Sequence, residues 1–439
     1  MSPMYWNPEA ETMSRDQLQN MQLTRLQALV ARLNATSPFY RDVFAQSGFE
    51  PRDIRSLDDL ALLWFTTKVH LRDSYPFGML TVPRSKLVRV HASSGTTGKP
   101  TVVAYTRADM SVWAEVMARG MTAMGITSGD VVHNACAYGL FTGGLGIGLG
   151  AETVGATTVP VSVGFTARQL MLMEDFRATV LCCTPSYAAI LAETAAEQRI
   201  DLHARMKLRV GVFGAEPWTD ALRARVESWF GIEAFDLYGL SEIIGPGVSV
   251  ECGAHDGLHI FEDHFLPEII DPDTCEVLPC GAEGELVLTT LTRDAMPLLR
   301  YRTRDRARLL SGTCSCGRTL LRMSRVGGRT DDMLIVRGVN VFPSQIEAAL
   351  LKDGGLAPQY LIIVDRDQDG MVEGLEVWVE RAEEVSGRVP LTFAQLEERA
   401  LDTLCQVLGI KVRVRVVEPR QIERSQGKAV RVVERNKVR

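Results

Sequence analysis

The chain has 439 residues, with 48 Lys and Arg against 54 Asp and Glu, a formal charge of −6, and 46% hydrophobic against 23% charged residues. At roughly 100–200 residues per domain this length implies two or three domains, and the proportions exclude a disordered, collagenous or coiled-coil chain. A mild acidic balance argues against a bulk nucleic-acid binder.

The first residues lack the basic start and apolar stretch of a secretory signal. The most continuous apolar segment, residues 145–161, is interrupted by glycines and Glu152, so no membrane span is expected and the chain reads as cytoplasmic. Nine cysteines in such a length do not make a disulfide scaffold; reduced thiols or metal ligands are expected.

Leu, Met and Val recur at helical spacing over residues 14–33, and residues 53–63 predict a second short helix. From Leu87 the rhythm alternates. Short β-branched runs (LVRVHA, TVVAY, DVVHNACA, TTVPV, TVLCC, LRVGVFG, IEAFDLYG) are separated by helical patterns around residues 108–124, 143–154, 167–176, 187–198 and 220–230. Such alternation predicts parallel crossover units, hence a large α/β domain whose sites lie at the carboxyl ends of strands. Residues 281–310 read instead as short antiparallel strands, a β-rich subregion. After SRVGGRTDD the order strand, helix, strand, strand, helix, strand predicts a small α+β unit. We place the boundary between residues 1–329 and 330–439.

Five segments carry chemistry. Ser93, Ser94, Gly95, Thr96, Thr97, Gly98 and Lys99 follow one strand and precede another. Glycines allow close backbone approach, and amides, hydroxyls and one ammonium converge as a phosphate cradle. Pro100 stands where a Walker loop has its Mg-binding hydroxyl, so this is a different loop, the alternative being a Gly/Thr hairpin turn. Glu242 closes DLYGLSE beyond a buried strand, suited to hold Mg²⁺ through phosphates. Asp305, within RYRTRD, offers acceptors for ribose hydroxyls. The remaining segments are Gly328 to Asp332 at the domain junction and Ser425-Gln426-Gly427-Lys428 near the end.

In this order the five segments resemble the AMP-forming, adenylate-forming ligase superfamily. Within it HASSGTTGKPTVV, YGLFTGGLG, FGAEPWT, DLYGLSE, GLHIFEDHFLPEIIDP, MPLLRYRTRD, GRTDDMLIVRGVNVFPSQIE and QGKA resemble the phenylacetate-CoA ligase family over nearly the whole chain. The resemblance implies an aryl-acid CoA ligase that uses ATP, Mg²⁺ and coenzyme A and passes through an acyl-AMP. It implies that Ser93 to Lys99 hold the β- and γ-phosphates, with Lys68 a further phosphate contact. Ala215, Glu216, Pro217, Asp236 and Tyr238 would frame the adenine. Glu242 would bind Mg²⁺, Asp305 the ribose and Arg329 a phosphate, while Asp331 would be the hinge and Lys428 the catalytic lysine of adenylation.

The family's aryl pocket corresponds to Tyr138, Phe141, Gly214 and Ala215. There SGGQT is replaced by Ser162-Val163-Gly164-Phe165-Thr166, and an aromatic by Cys136. Added bulk at Val163 and Phe165 predicts a shortened pocket suited to benzoate or anthranilate as well as phenylacetate, unless both repack behind it. An enzyme loading a carrier-protein phosphopantetheine and a non-catalytic nucleotide-binding protein are the competing readings. Lys428, Glu242 and Asp305, all present, argue against the second. A homodimer is expected by the same resemblance.

Cys314 and Cys316 form a C-x-C turn, and Cys252, His255 and His259 lie upstream. Cys252, His259, Cys314 and Cys316 form a candidate closed four-ligand Zn²⁺ site, with His255 competing for the histidine position and ordinary thiols as the alternative. The family resemblance favours structural zinc.

Overall fold

The computed structural model describes residues 4–92, 100–330, 332, 334–336, 339–366, 372–382, 391–425 and 429–435. Its largest element is an eleven-stranded sheet. Strands Thr157–Val159, Val131–Asn134, Val180–Cys183, Val210–Gly214 and Glu233–Leu240 lie side by side in that order and run parallel. Both faces are covered, and the period-two geometry of a strand divides the side chains between them. Val180, Cys182, Val210 and Val212 enter one core, while Leu181, Cys183 and Phe213 enter the core on the opposite face.

Helices Arg107–Ala123 and Gly143–Val154 cover the first face. They pack closely because the second is rich in glycine: a Cβ on Gly146 would lie 2.6 Å from the Trp113 ring, and one on Gly150 2.7 Å from Met117. Helices Thr166–Asp175, Pro185–Glu197 and Asp220–Phe230 cover the other face. Past Glu233–Leu240 the sheet turns antiparallel through Gly245–Glu251, Leu258–Ile260, Arg322–Met323, Tyr301–Leu310, Glu283–Thr290 and Phe265–Ile270.

Two local expectations need correction. Leu87–Ala92 and Val102–Thr106 are not crossover strands of the large sheet but a separate antiparallel pair, which brackets residues 93–99. The helix expected over residues 53–63 is instead two 3₁₀ segments, the three residues Pro51–Asp53 and the six residues Leu57–Leu62. Asp59 explains the break, since one of its oxygens accepts the backbone N–H groups of Arg55 and Ser56 at 2.9 and 2.7 Å and closes a local turn. The second N-terminal helix lies earlier, at Pro38–Ser47, with Pro in its first turn, Ser37 as cap and left-handed Gly48 as stop.

The C-terminal part has its own core, built from residues between Leu334 and Val416, around a six-stranded sheet flanked by helices Pro343–Leu350 and Phe393–Leu408. It docks on the larger part through specific contacts. Leu351 inserts into the core formed by the Pro185–Glu197 and Asp220–Phe230 helices. The Arg225 guanidinium donates to the carbonyls of Leu351, Asp353 and Leu356 at 3.2, 3.3 and 2.9 Å. Arg424 pairs with Glu193 at 3.0 Å. Among the described residues no helix is long and apolar enough to cross a membrane.

Candidate active site

Several of the expected residues that the structure describes lie at or near the carboxyl ends of the parallel strands. Gly214 pairs with Leu237 on the neighbouring strand, and a Cβ at Gly214 would sit 2.2 Å from the Leu237 carbonyl oxygen, so only glycine fits there. Ala215 follows in a left-handed conformation, φ 72°, and is exposed together with Pro217. One strand over, Asp236 is buried, and loss of solvent, aided by the Glu251 charge, pushes its carboxyl up to about 7. The Tyr238 hydroxyl donates to Asp305 Oδ2 at 2.7 Å, and Arg329 Nη1 reaches Asp305 Oδ1 at 3.4 Å. Asp305 is therefore oriented from both sides. Buried Glu242 faces Lys68 Nζ at 3.5 Å. The hydroxyls of Thr142 and Ser241 join at 2.9 Å beside it, a contact the sequence reading did not include.

Ser93, Ser94, Gly95, Thr96, Thr97, Gly98, Lys99, Asp331 and Lys428 lie outside the described residues. Their flanks are described: Ala92 ends one strand of the antiparallel pair, and Ala429 leads into the strand Val432–Glu434.

Tyr138 is fixed by groups that the sequence reading missed. The Asn134 amide donates to the Tyr138 hydroxyl at 2.9 Å and to the Gly144 carbonyl at 2.7 Å, and a Cβ on Gly144 would meet the Tyr138 ring at 2.6 Å. Asn134 is a fully buried amide at the carboxyl end of the strand Val131–Asn134, and that position at a strand end is the signal that would have found it. Burial pushes the Tyr138 phenol up to about 12, so it is a neutral hydroxyl at ordinary pH. Cys136, likewise raised to about 12 by burial, stays a thiol.

The segment 162–165 is anchored by buried Gln169, whose amide donates to the carbonyls of Ser162 and Gly164, both at 2.8 Å, while its oxygen meets His133 at 2.9 Å. Val163 is half-buried. Phe165, however, starts the next helix at φ 50° and is 80% exposed. Its left-handed backbone carries the ring to solvent. Phe141 is 45% exposed.

A second cluster lies away from the strand ends. One ligand atom from each of Cys252, His259, Cys314 and Cys316 falls within 4.8 Å of the others. Zinc with Zn–S of about 2.3 Å and Zn–N of about 2.0–2.1 Å in tetrahedral geometry requires S···S near about 3.8 Å and S···N near about 3.5 Å. Cys252 and Cys314 sulfurs are 3.7 Å apart, and Cys316 Sγ is 3.4 Å from His259 Nε2, so the donor set fits the ion. Hydrogen bonding to Cys252 and the adjacent His259 ring hold the Cys316 thiol well below its ordinary range. His255 points elsewhere, bonded to Glu233 at 2.9 Å and facing Glu251 at 3.6 Å.

Residues 75–291 match the model of the AMP-binding enzyme family, and residues 338–436 that of the AMP-binding enzyme C-terminal domain. A phenylacetate-coenzyme A ligase of Aromatoleum evansii is 51% identical over 428 residues, covering 97% of this chain and 96% of the relative. The chain belongs to the phenylacetate-coenzyme A ligase family. It is more distant from a benzoate–CoA ligase of Thauera aromatica, 28% identical over 59% of this chain and 49% of that one. Among solved structures, a 2-hydroxyisobutyryl-CoA ligase in its postadenylation state, complexed with R3-HIB-AMP, superposes with a TM-score of 0.92 at 30% identity, covering 98% of this chain and 93% of that one. The same ligase in its thioesterification state, complexed with 2-HIB-AMP and CoA, gives only 0.72 at 31% identity, covering 98% and 92%. Identity and coverage hardly differ between the two, so the arrangement of the two parts in this family member matches the postadenylation state.

Proposed function

We propose that this chain ligates an aromatic acid, phenylacetate or a close arylacetate, to coenzyme A at the expense of ATP, through an enzyme-bound acyl adenylate. The observation that carries the reading is the constellation Tyr238–Asp305–Arg329 beside Glu242 and Lys68 at the strand ends, in a chain of this family.

In the first step the substrate carboxylate oxygen attacks the α-phosphorus of ATP, the bond to the bridging oxygen breaks, and pyrophosphate leaves with that electron pair. Both reactants are anions, so catalysis consists of positioning and charge neutralisation. Asp305, held by Tyr238 and Arg329, accepts from the ribose hydroxyls. Ala215, Pro217 and Asp236 border the adenine, residues 93–99 take the terminal phosphates, and Lys428 supplies positive charge to the reacting centre. Glu242 would be the residue that holds Mg²⁺, which would supply charge neutralisation for the phosphates, and Lys68, already against Glu242, offers a second cation. In the second step the C-terminal part, residues 330–439, turns about Asp331. The CoA thiol loses its proton and attacks the acyl carbon, and AMP departs. The separate core from Leu334 to Val416 supports the boundary.

The outward Phe165 and the higher identity to a phenylacetate-coenzyme A ligase than to a benzoate–CoA ligase favour phenylacetate over the shortened-pocket reading. The Cys252, His259, Cys314 and Cys316 set would hold a structural zinc that ties the 314–316 turn to the strand Leu258–Ile260. ATP and CoA are intracellular metabolites, which supports a cytoplasmic site of action, and a homodimer belongs to the same proposal. Pyrophosphate release should be fastest with phenylacetate among phenylacetate, benzoate, anthranilate and salicylate; a preference for a benzoate-type acid would reinstate the shorter pocket.

A further inference from the structure

We infer that Glu216 is a positioning residue for adenylation, docking the segment that carries Lys428 onto the N-terminal part. The inference rests on the proposed role of Lys428. The motif assigns Glu216 to the adenine, yet its carboxylate is engaged elsewhere. Oε1 accepts the Ser186 backbone N–H at 2.7 Å, and Oε2 accepts that of Ala429 at 3.0 Å. Ser186 lies in the first turn of the helix Pro185–Glu197, where N–H groups have no carbonyl partner within the helix and the dipole favours an anion. That helix therefore fixes one carboxylate oxygen and aims the other at Ala429, the residue directly after Lys428.

Beyond Ala429 the chain is held by the C-terminal part itself. Ile362 donates to the Arg431 carbonyl at 2.7 Å, the Arg431 guanidinium lies 4.2 Å from the Tyr360 ring centre, and Val432–Glu434 pairs in parallel with Ile362–Val364. The Glu216 bond is thus a link across the two parts, placed one residue from the lysine. A backbone clamp there fixes the main chain at Ala429, the residue after Lys428. It exists in the arrangement that matches the postadenylation state, and turning the C-terminal part away must break it. Its effect is therefore confined to the first half-reaction.

The test is Glu216→Gln. The amide keeps one accepting oxygen, so it can serve Ser186 or Ala429 but not both, while its NH₂ opposes the other N–H. Pyrophosphate release with phenylacetate should fall about tenfold in kcat, with the KM for ATP and thioester formation from supplied acyl-AMP and CoA each changing by less than about twofold. In a Lys428→Ala background the same substitution should add no further loss, because both act through one element. A raised KM for ATP at unchanged kcat would return Glu216 to the adenine. Equal losses in both half-reactions with a lowered melting temperature would make it only a helix cap. If Glu216→Gln leaves pyrophosphate release intact while Lys428→Ala abolishes it, the inference fails and the lysine assignment stands; if Lys428→Ala leaves release intact, the lysine assignment fails and takes the inference with it.

Discussion

Asp236 and Asp305 are two acids near the carboxyl ends of the parallel strands. Asp305 accepts from Tyr238 and faces Arg329. Asp236 is buried near Glu251, and its carboxyl is raised from 3.8 to about 7. The linkage has a definite sign: below the unfolded value both states carry the proton, and above it the unfolded chain releases a proton that the folded chain keeps, so this group's contribution to stability is lost as pH rises through about 7. Asp236→Asn removes that slope. Its melting temperature relative to the parent should increase from pH 5 to pH 8, and a difference independent of pH would refute the burial account. The sequence proposes Asp305, Glu242 and Tyr238 because each stands at a fixed place in an ordered motif, and the structure joins Tyr238 to Asp305. It could not reveal that Phe165 faces solvent, because the left-handed turn that exposes it depends on Gln169 holding the carbonyls of Ser162 and Gly164.

At the scale of elements, alternating β-branched and helical runs made the parallel sheet legible, and the glycine-rich segment 143–154 is indeed a helix packed tightly on Arg107–Ala123. What misled was local hydrogen bonding. Asp59 breaks the expected helix, and the antiparallel pairing of Leu87–Ala92 with Val102–Thr106 is a tertiary choice that two short strands do not announce. The cysteine cluster shows the same limit from the other side. Spacing left His255 and His259 as rivals, and the fold separates them by giving His255 to Glu233 and Glu251. Four such ligands should bind about one equivalent of zinc per chain in protein purified without a His tag. Stripping that zinc with a chelator, or Cys314→Ser, should lower the melting temperature while leaving the KM for ATP unchanged. Less than about a tenth of an equivalent of bound zinc would end the assignment.

For the whole molecule the decisive feature is how the C-terminal part sits. Arg225 closes over three carbonyls between the end of the helix Pro343–Leu350 and the start of the strand Leu356–Arg366, Leu351 enters the opposite core, and Arg424 pairs with Glu193. None of this was legible in the sequence, since each contact joins residues far apart in the chain. Arg225→Ala should weaken this docked arrangement and slow pyrophosphate release about threefold to tenfold, with little change in thioester formation from supplied acyl-AMP. Equal slowing of both steps would mean that Arg225 serves folding alone.

The central claim is the two-step route through an acyl adenylate, and product analysis tests it most directly. With ATP, Mg²⁺ and phenylacetate but no CoA, the account predicts pyrophosphate and enzyme-bound phenylacetyl-AMP, and on adding CoA, phenylacetyl-CoA and AMP in equal amounts. Release of ADP and phosphate, or pyrophosphate formation that does not depend on the acid, would contradict it.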